Sequence, residues 1–541
     1  MASTRRTGLA TVAALMALVA PAALAAQGEP DPSFSQDGKL VLPVGEAGGS
    51  ARAVAVDSKS RITLAGYVDD RGPRGRDFAV VRLLPDGNPD PSFSGDGIAT
   101  LDASVVAGAD DQANALALDK SGGVIVAGGA SNGAGTDFAI ARFAAGGELD
   151  QSFGGDGVVT RDIGGGDDVA DGVAIDSAGR IVVAGDDSAS ADGNFAVVRL
   201  TTTGAIDSTF SAPDGILSLN VGSATSADDA ADVAVDAKDR IVLAGSTRPA
   251  AGADPTSLDT AVARLTVTGD PDPAFNAATP GRVVIDSSAA TLEDRGLAVE
   301  IGPGNRPLVA GVSNRGGDLA ATVLRLTSAG ARDSRFSAGG LNYADLGPGA
   351  DRVADLALDK DGRIVVAGSY LPPTGDEELE LARFQADGQT DTSFSSDGVT
   401  SADIGPGADN GAAVAVDRTT GRIVVGGGNL SAITAGVASF AVARFEGTPR
   451  CGGRLPTILG TKGKNTLNGT KGKDVISMRD GKDIVTGRTR GDIICGGKGN
   501  DYMKGGRGAD FLLGGAGKDA LFGGPGKDRL KGGKGRDTLK K

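Results

Sequence analysis

Near the C-terminus an aspartate recurs at every ninth position, and each of these aspartates stands two residues before an apolar side chain. Carboxylates and backbone carbonyls supply oxygen ligands only, and a site made of oxygen ligands selects a hard cation such as Ca²⁺. We therefore predict a calcium-binding tail. The candidate ligands are Asp474, Asp483, Asp492, Asp501, Asp510, Asp519, Asp528 and Asp537.

Glycines recur in the same register as the aspartates. Nine frames of nine residues run without a gap from Gly460 to Lys540. Glycine at the first, second and fourth positions of a frame permits the positive φ of a tight turn and leaves carbonyls exposed to a cation. The last five frames keep all three, which adds to the candidate ligands Gly496, Gly497, Gly499, Gly505, Gly506, Gly508, Gly514, Gly515, Gly517, Gly523, Gly524, Gly526, Gly532, Gly533 and Gly535.

Over its whole length the tail resembles the RTX, or hemolysin-type, calcium-binding nonapeptide repeats. The resemblance implies a parallel β-roll in which two frames make one coil and each calcium ion lies between loops one coil apart. It further implies two columns of loops, one with Asp474, Asp492, Asp510 and Asp528 and the other with Asn465, Asp483, Asp501, Asp519 and Asp537. The best sites are then expected between Asp501 and Asp519, Asp519 and Asp537, and Asp510 and Asp528.

Several frames depart from this pattern. Asn465 lacks a charge, Met478 and Arg479 replace a pair of glycines, and Arg490 replaces a fourth-position glycine. The tail is also basic, because residues 460–541 hold 19 Lys or Arg against 9 Asp, a net charge of +10 that leaves −25 for the rest of a chain at −15. We expect the positive charge to weaken calcium binding without abolishing it. The same charge could bind anionic polymers.

Seven copies of a longer unit occupy the chain before residue 446. Each unit holds four short strands of β-branched and small apolar residues, separated by Gly, Asp and Pro, and closed sheets built from such units form propellers. We predict an all-β fold, a seven-bladed β-propeller followed by the roll, over a linear array of units. A DxSF-like phrase marks each copy and begins at Asp31, Asp90, Asp150, Asp207, Asp272, Asp333 and Asp391.

The DxSF, AVAVD, GRIVVAG and FAVVRL phrases of these copies resemble the delta-60 repeat family over about residues 31–445. That family implies a β-propeller in exported and surface proteins and carries no settled activity. We therefore expect this chain to share the fold of the family, and we infer no function from the resemblance.

An arginine recurs in the last strand of every copy, at Arg82, Arg142, Arg199, Arg264, Arg325, Arg383 and Arg444. We expect these arginines to pair with the acidic residues that end the AVAVD strands, and the alternative is a ring of arginines that binds an anion. The acidic residues are Asp57, Asp119, Asp176, Asp236, Glu300, Asp359 and Asp417. Acidic turns at Asp110-Asp111, Asp167-Asp168 and Asp228-Asp229 could hold a cation, although such clusters are more often solvated loops.

Residues 1–25 combine a basic start, an apolar run and an Ala23-Leu24-Ala25 site, which predicts a cleaved signal peptide and a secreted or cell-surface protein. The boundaries predicted are 1–25 for the signal peptide, 26–446 for the propeller, 447–459 for a linker and 460–541 for the roll. Outside the cell, Cys451 and Cys495 are expected to form a disulfide that joins the linker to the tail.

The sequence contains no histidine, which excludes His-based catalytic triads and HExxH zinc sites. We predict a non-enzymatic, secreted calcium-binding protein that acts as a surface or matrix adhesion module with a calcium-folded roll. One alternative is a propeller enzyme that uses paired carboxylates on extracellular polysaccharide. Another is charge-driven binding of a polyanion. The expected partners are Ca²⁺ and an extracellular polysaccharide or anionic wall polymer, with no membrane span and no sequence-specific binding of nucleic acid.

Overall fold

A computed structural model describes most of the chain, and every regular element in the described part is a β-strand. The predicted signal peptide lies outside the described residues. Those residues are 27–45, 47–69, 75–104, 109–187, 193–222, 226–248, 257–286, 293–315, 318–337, 339–344, 346, 351–372, 376–395, 397–431, 437–447, 451–452, 454, 456–460, 463–479 and 481–541. Among them there is no helix long and apolar enough to cross a membrane.

Seven antiparallel sheets of four strands form the blades of a propeller, as predicted. Blades 1 to 3 consist of β2 Gly49–Val56, β3 Ile62–Asp69, β4 Arg76–Leu83 and β5 Ile98–Leu101; β6 Asp111–Leu118, β7 Val124–Ser131, β8 Thr136–Phe143 and β9 Val158–Arg161; and β10 Val169–Ile175, β11 Ile181–Asp187, β12 Asn194–Leu200 and β13 Ile216–Leu219. Blades 4 to 6 consist of β14 Asp228–Val235, β15 Ile241–Thr247, β16 Asp259–Leu265 and β17 Arg282–Ile285; β18 Asp294–Gly302, β19 Arg306–Arg315, β20 Asp318–Arg325 and β21 Leu341–Ala344; and β22 Asp351–Leu358, β23 Ile364–Tyr370, β24 Glu378–Phe384 and β25 Val399–Ala402.

Blade 7 closes the ring with strands from both ends of the propeller. It contains β26 Ala408–Val416, β27 Ile423–Ser431, β28 Val437–Phe445 and, as its outermost strand, β1 Lys39–Leu42. The pairing of β1 with β28 is antiparallel and sets Lys39 opposite Ala443. Each sequence copy thus contributes its first strand to one blade and its other three strands to the next. This offset excludes the linear array of units.

Every blade contains one unit in which an arginine, buried in five of the seven blades, is held by a DxSF phrase. The Nε of the recurring arginine donates to the aspartate of the phrase at 2.8–3.0 Å, and its guanidinium stacks at 4.5–4.8 Å on the buried phenylalanine of the same phrase. In blade 3, for example, Arg199 pairs with Asp207 and stacks on Phe210. Each arginine also donates to a backbone carbonyl of the neighbouring blade, as Arg82 does to Ala145 O at 2.6 Å.

The expected partners of these arginines were therefore wrong, and no anion-binding ring is formed. Four of the seven carboxylates that end the innermost strands pair instead with the arginine just before the next strand: Asp57, Asp176, Asp236 and Asp359. Strand alternation correctly predicts the face of the strand on which the recurring arginine lies. The loop that follows this strand folds back and supplies a closer carboxylate.

The tail forms a parallel β-roll, as predicted, with two sheets of five strands each. Residues at the eighth position of the frames point into the roll, and Ile476, Val485, Ile494, Met503 and Leu512 are fully buried there. One sheet contains β29 Ile458–Leu459, β31 Val475–Ser477, β33 Ile493–Lys498, β35 Phe511–Ala516 and β37 Arg529–Lys534. The other contains β30 Thr466–Asn468, β32 Ile484–Thr489, β34 Tyr502–Arg507, β36 Ala520–Phe522 and β38 Thr538–Lys540. The roll thus begins at β29, within the segment assigned to the linker.

Candidate functional site

The aspartates of the tail form two columns along the two edges of the roll. In each column the Oδ1 of one aspartate accepts a hydrogen bond from the backbone N–H of the residue eighteen positions earlier, at 2.6–3.1 Å. One column contains Asp474, Asp492, Asp510 and Asp528, and the other contains Asn465, Asp483, Asp501, Asp519 and Asp537. The structure therefore brings together all eight predicted aspartates, one coil apart.

The second carboxylate oxygen of several aspartates is buried inside the loops. The Oδ2 atoms of Asp492, Asp510, Asp519 and Asp528 accept no hydrogen bond from any described residue. A buried carboxylate oxygen without a donor is costly unless it binds a cation or a proton. The loops thus present the oxygen atoms that a hard cation requires, and the donor set fits Ca²⁺.

The glycines of the loops leave the space that this arrangement needs. A Cβ at Gly514, a first-position glycine, would lie 2.5 Å from Oδ2 of Asp519, where no side chain fits. The second- and fourth-position glycines Gly515 and Gly517 have φ of 109° and 143°, a region that L side chains rarely adopt. The predicted glycines therefore shape the loops and expose carbonyls beside the carboxylates.

The irregular frames keep the same backbone despite their larger residues. Arg479, Arg488 and Arg490 occupy second- and fourth-position sites and have positive φ values of 72°, 86° and 72°. A non-glycine residue in this region is strained, so these loops are less stable than the intact ones. Their geometry nevertheless continues both columns of carboxylates.

Burial and mutual repulsion raise the pKa of three of the carboxyl groups in the absence of a metal. Burial raises the pKa of Asp492 to about 6, and the charges of Asp510 and Asp474 add to the effect. Burial likewise raises the pKa of Asp510 and of Asp519. A divalent cation bound at the loops would reverse these shifts, because it stabilises the charged form of its ligands.

The lysines of the loops lie at the surface of the roll. Lys498, Lys518, Lys527 and Lys534 are exposed, whereas the aspartates that follow them in the frames are mostly buried. Exposed charges are screened by water and salt, so their repulsion of a buried cation is weakened. The basic charge of the tail therefore lies mainly on its outer surface.

The two cysteines lie side by side where the linker meets the roll. Their Cα atoms are 5.6 Å apart and their Sγ atoms are within bonding distance. Cys495 points out of the coil, as expected from its ninth position, and is covered by the segment that contains Cys451. Gly452 packs on the outer face of the same sheet, against Ile493.

Each acidic turn of the propeller contains one exposed and one buried aspartate, so the expectation of a solvated loop holds only in part. Asp111, Asp168 and Asp228 are fully buried at the starts of innermost strands, where each accepts backbone N–H groups of a preceding loop. Three interblade groups bring carboxylate oxygens within 4.8 Å of one another: Asp77, Asp102 and Asp111; Asp137, Asp162 and Asp168; and Asp259, Asp286 and Asp294. The sequence signal that was missed is the recurrence of this aspartate just before the AVAVD strands.

Fold and loop geometry together define a β-propeller joined to a β-roll of the calcium-binding type. The family model for the RTX calcium-binding nonapeptide repeat matches the tail in four copies, over residues 457–485, 479–512, 486–521 and 504–539. A second family model, "Domain of unknown function (DUF5122) beta-propeller", matches residues 61–93, 121–153, 179–210 and 360–394. The chain thus combines DUF5122-type propeller repeats with RTX calcium-binding repeats, in agreement with the resemblances seen in the sequence.

Several solved structures are similar to this chain at low identity. A catalytically inactive virginiamycin B lyase from Staphylococcus aureus is 10% identical, covers 75% of this chain and 98% of its own, and has a TM-score of 0.41. The polysaccharide lyase Uly1 is 12% identical, with 79% and 97% covered and a TM-score of 0.44. Sqt1 from Chaetomium thermophilum is 13% identical, with 75% and 97% covered and a TM-score of 0.39. No curated protein sequence matches the chain.

Proposed function

We propose that this chain is an exported calcium-binding protein whose roll is folded by Ca²⁺ and whose propeller is a non-enzymatic binding module of a cell surface or matrix. The observation that carries the calcium proposal is the set of buried Oδ2 atoms at Asp492, Asp510, Asp519 and Asp528. These atoms need a cation or a proton, and the family of the repeats binds calcium. Calcium that binds only the folded roll stabilises it by mass action.

Export is supported by three independent features. The N-terminal 25 residues have the composition of a signal peptide, RTX repeats are typical of secreted proteins, and Cys451 and Cys495 are placed to form a disulfide. Calcium outside the cell is abundant enough to fill sites with dissociation constants of about 10⁻⁴–10⁻³ M. A roll that folds only after export would fit these conditions.

The test is a calcium titration of the full chain, followed by far-ultraviolet circular dichroism and by equilibrium dialysis. We expect the β-signal to increase with calcium and to be lost in excess chelator. The variant Asp510→Asn/Asp519→Asn should bind fewer ions, because each substitution removes a buried charge from one column. A matched control, Asp361→Asn, changes an exposed aspartate of the propeller and should bind as many ions as the wild type. Equal stoichiometry in all three proteins would refute the proposal.

A second function is favoured by the charge of the roll. Its exposed side chains include Lys498, Lys504, Lys518 and Lys531 together with Arg529, whose guanidinium stacks on Phe511 at 5.1 Å. Such a surface attracts anionic polymers, and the attraction weakens with salt. Retention on a polyglutamate column in calcium, lost at high salt, would support this function. Passage through the column at low salt would exclude it.

A further inference from the structure

The central channel of the propeller is lined unequally, although the blades repeat. Each innermost strand contains a bulge at the channel, and one residue of the bulge has no partner in the neighbouring strand. That residue is polar in blades 1, 2 and 3 and apolar in blades 4 to 7: Arg52, Asn114, Asp171, Ala231, Leu297, Ala354 and Ala412. A structural role common to all blades does not account for polar residues in three adjacent blades only.

Hydrogen bonds connect the three polar blades at this end of the channel. Asn114 donates to Oδ1 of Asp171 at 2.9 Å and accepts from Nε2 of Gln112 at 2.7 Å. The Oε1 of Gln112 in turn accepts from Arg76 at 3.5 Å. The network therefore crosses from blade 1 through blade 2 to blade 3. Its amide groups are held in one orientation by partners on both sides.

Three carboxyl groups separate the channel from a second cavity. The oxygens of Asp171, Asp186 and Asp229 lie within 4.8 Å of one another, and Asp186 is hydrogen-bonded to Asp229. Asp171 lines the channel, whose volume is about 430 Å³, while Asp186 and Asp229 line a neighbouring cavity of about 220 Å³. The second cavity extends toward blade 5 and is bordered by Arg248 and Arg295. The wall of the channel is mainly polar, whereas that of the smaller cavity is mainly apolar.

The polar end of the channel carries both signs of charge, and blades 4 to 6 add three further carboxyls to the channel lining, those of Asp232, Glu300 and Asp355. Burial raises the pKa of Asp171 to about 7 and that of Asp186 to about 9, so these two carboxyls retain protons near neutral pH. Arg52 adds a positive charge close enough to stabilise the ionised form of Asp171. A hard cation would be disfavoured here by the charge of Arg52 and by the partly protonated carboxyls. An anion would be disfavoured by the carboxyls. Groups that both donate and accept hydrogen bonds suit a ligand with many hydroxyls.

We propose that the channel mouth over blades 1 to 4, centred on Arg52, Asn114 and Asp171, binds a neutral saccharide. This inference rests on the proposed role of the propeller as a binding module and adds the ligand class and the position of the site. Recognition uses the amide of Asn114, the guanidinium of Arg52 and the carboxyl of Asp171 as hydrogen-bonding groups. The neighbouring cavity would accept a further sugar unit.

The experiment is isothermal titration of the full chain, in calcium, with cellohexaose, maltohexaose, chitohexaose and mannohexaose as neutral probes and hexagalacturonate as the anionic probe. We expect at least one neutral probe to bind. Asn114→Ala and Arg52→Gln should each weaken that binding about tenfold, which is the effect of one lost hydrogen bond of about 1.4 kcal/mol. Arg52 is exposed, so its substitution leaves the blade intact even if Asn114→Ala lowers stability.

The matched control is Ala354→Asn, which places an amide at the equivalent bulge of blade 6. This variant should bind the probe as the wild type does. Failure of every neutral probe, tighter binding of hexagalacturonate, or unchanged affinity in both Asn114→Ala and Arg52→Gln would overturn the proposal. Calcium stoichiometry is measured in the same samples, so a failure of the roll is distinguished from a failure of the channel site.

Discussion

At the residue scale, the recurring arginine of each blade depends on one carboxylate. Arg199 is 1% exposed, and its Nε donates to Asp207 at 2.8 Å. Asp207→Ala should lower the free energy of unfolding of the propeller by about 3–5 kcal/mol, because it leaves a buried charge without its partner. Denaturant unfolding followed by circular dichroism measures this change.

The control for this substitution is Asp361→Ala, which removes an exposed ion pair with Lys360. Exposed pairs contribute little, so its unfolding free energy should stay within about 0.5 kcal/mol of the wild type. Equal effects of the two substitutions would mean that the buried arginine is stabilised chiefly by its stacking on Phe210 and its bond to the neighbouring blade.

The carboxyls of the roll predict how its stability depends on pH without calcium. The folded pKa of Asp492, about 6, lies above its ordinary value of 3.8. A raised folded pKa gives a stability contribution that is complete below the unfolded pKa and is lost as pH rises through the folded pKa. In chelator, the roll should therefore be more stable at pH 4 than at pH 7, as judged by its thermal midpoint.

Calcium should reverse this dependence, because the ion competes with protons for the same oxygens. The calcium affinity is expected to rise as pH increases through about 6. Asn at position 492 removes one titrating group, so Asp492→Asn should reduce both pH effects. A metal-free roll that gains stability from pH 4 to pH 7 would contradict the prediction.

Residue spacing was sufficient to predict the calcium loops but not the arginine pairs. The aspartates of the roll are close in space because the coil repeats every eighteen residues, so sequence register alone determines their neighbours. The partner of Arg82 is Asp90, brought close by a loop that folds back on its own strand. Strand alternation predicts the face of a side chain and gives no information on the path of the next loop.

At the element scale, the cysteine pair joins the linker segment to the third strand of one sheet of the roll. Closing a loop between residues 44 positions apart stabilises a fold by about 4 kcal/mol in the chain-entropy model. Cys451→Ser/Cys495→Ser should therefore require more calcium to fold the roll, which a calcium titration followed by circular dichroism measures. The wild type in reducing agent should behave as the double variant does. Equal calcium midpoints for oxidised and reduced protein would show that no disulfide contributes.

The blade boundaries illustrate what repeat patterns leave undetermined. The spacing of the Gly and Asp residues predicts four strands per copy and seven copies. It therefore also predicts the number of blades. The sequence phase is arbitrary in a repeat, because a unit can be counted from any of its strands. The strand order within the sheets, together with the pairing of β1 with β28, shows that a blade starts at the AVAVD strand.

At the scale of the whole molecule, closure by β1 makes the ring one cooperative body. Leu40 and Leu42 of β1 pack in a core that includes Phe440 and Val442 of β28 as well as Leu64 and Val81 of blade 1. Deletion of residues 27–42 should thus lower the unfolding midpoint of the entire propeller, because it exposes the edge of β28. Thermal unfolding of the full chain and of the deletion variant measures this.

The matched control is deletion of residues 532–541, which removes the last frame of the roll. That deletion should reduce calcium stoichiometry and leave the unfolding midpoint of the propeller unchanged. An unchanged propeller midpoint after loss of residues 27–42 would mean that the remaining blades are stable as an open arc.

The channel mouth could not be predicted at any of these scales from sequence. Arg52, Asn114 and Asp171 stand in separate copies, each beside an alanine or glycine, and nothing in one copy distinguishes them from surface residues. Their meeting point exists only because blades 1, 2 and 3 converge on a common axis. The radial arrangement of the blades brings the three bulge residues together on one surface.

Ring closure also sets an order of events during synthesis. A ribosome makes β1 first and β28 near the end of the propeller, so β1 has no edge to join while six blades are being made. Until then β1 remains unpaired. The blades that follow it can form only an open ring. Completion of the propeller therefore requires that β28 be available to pair with β1, and only the roll follows that strand in the chain.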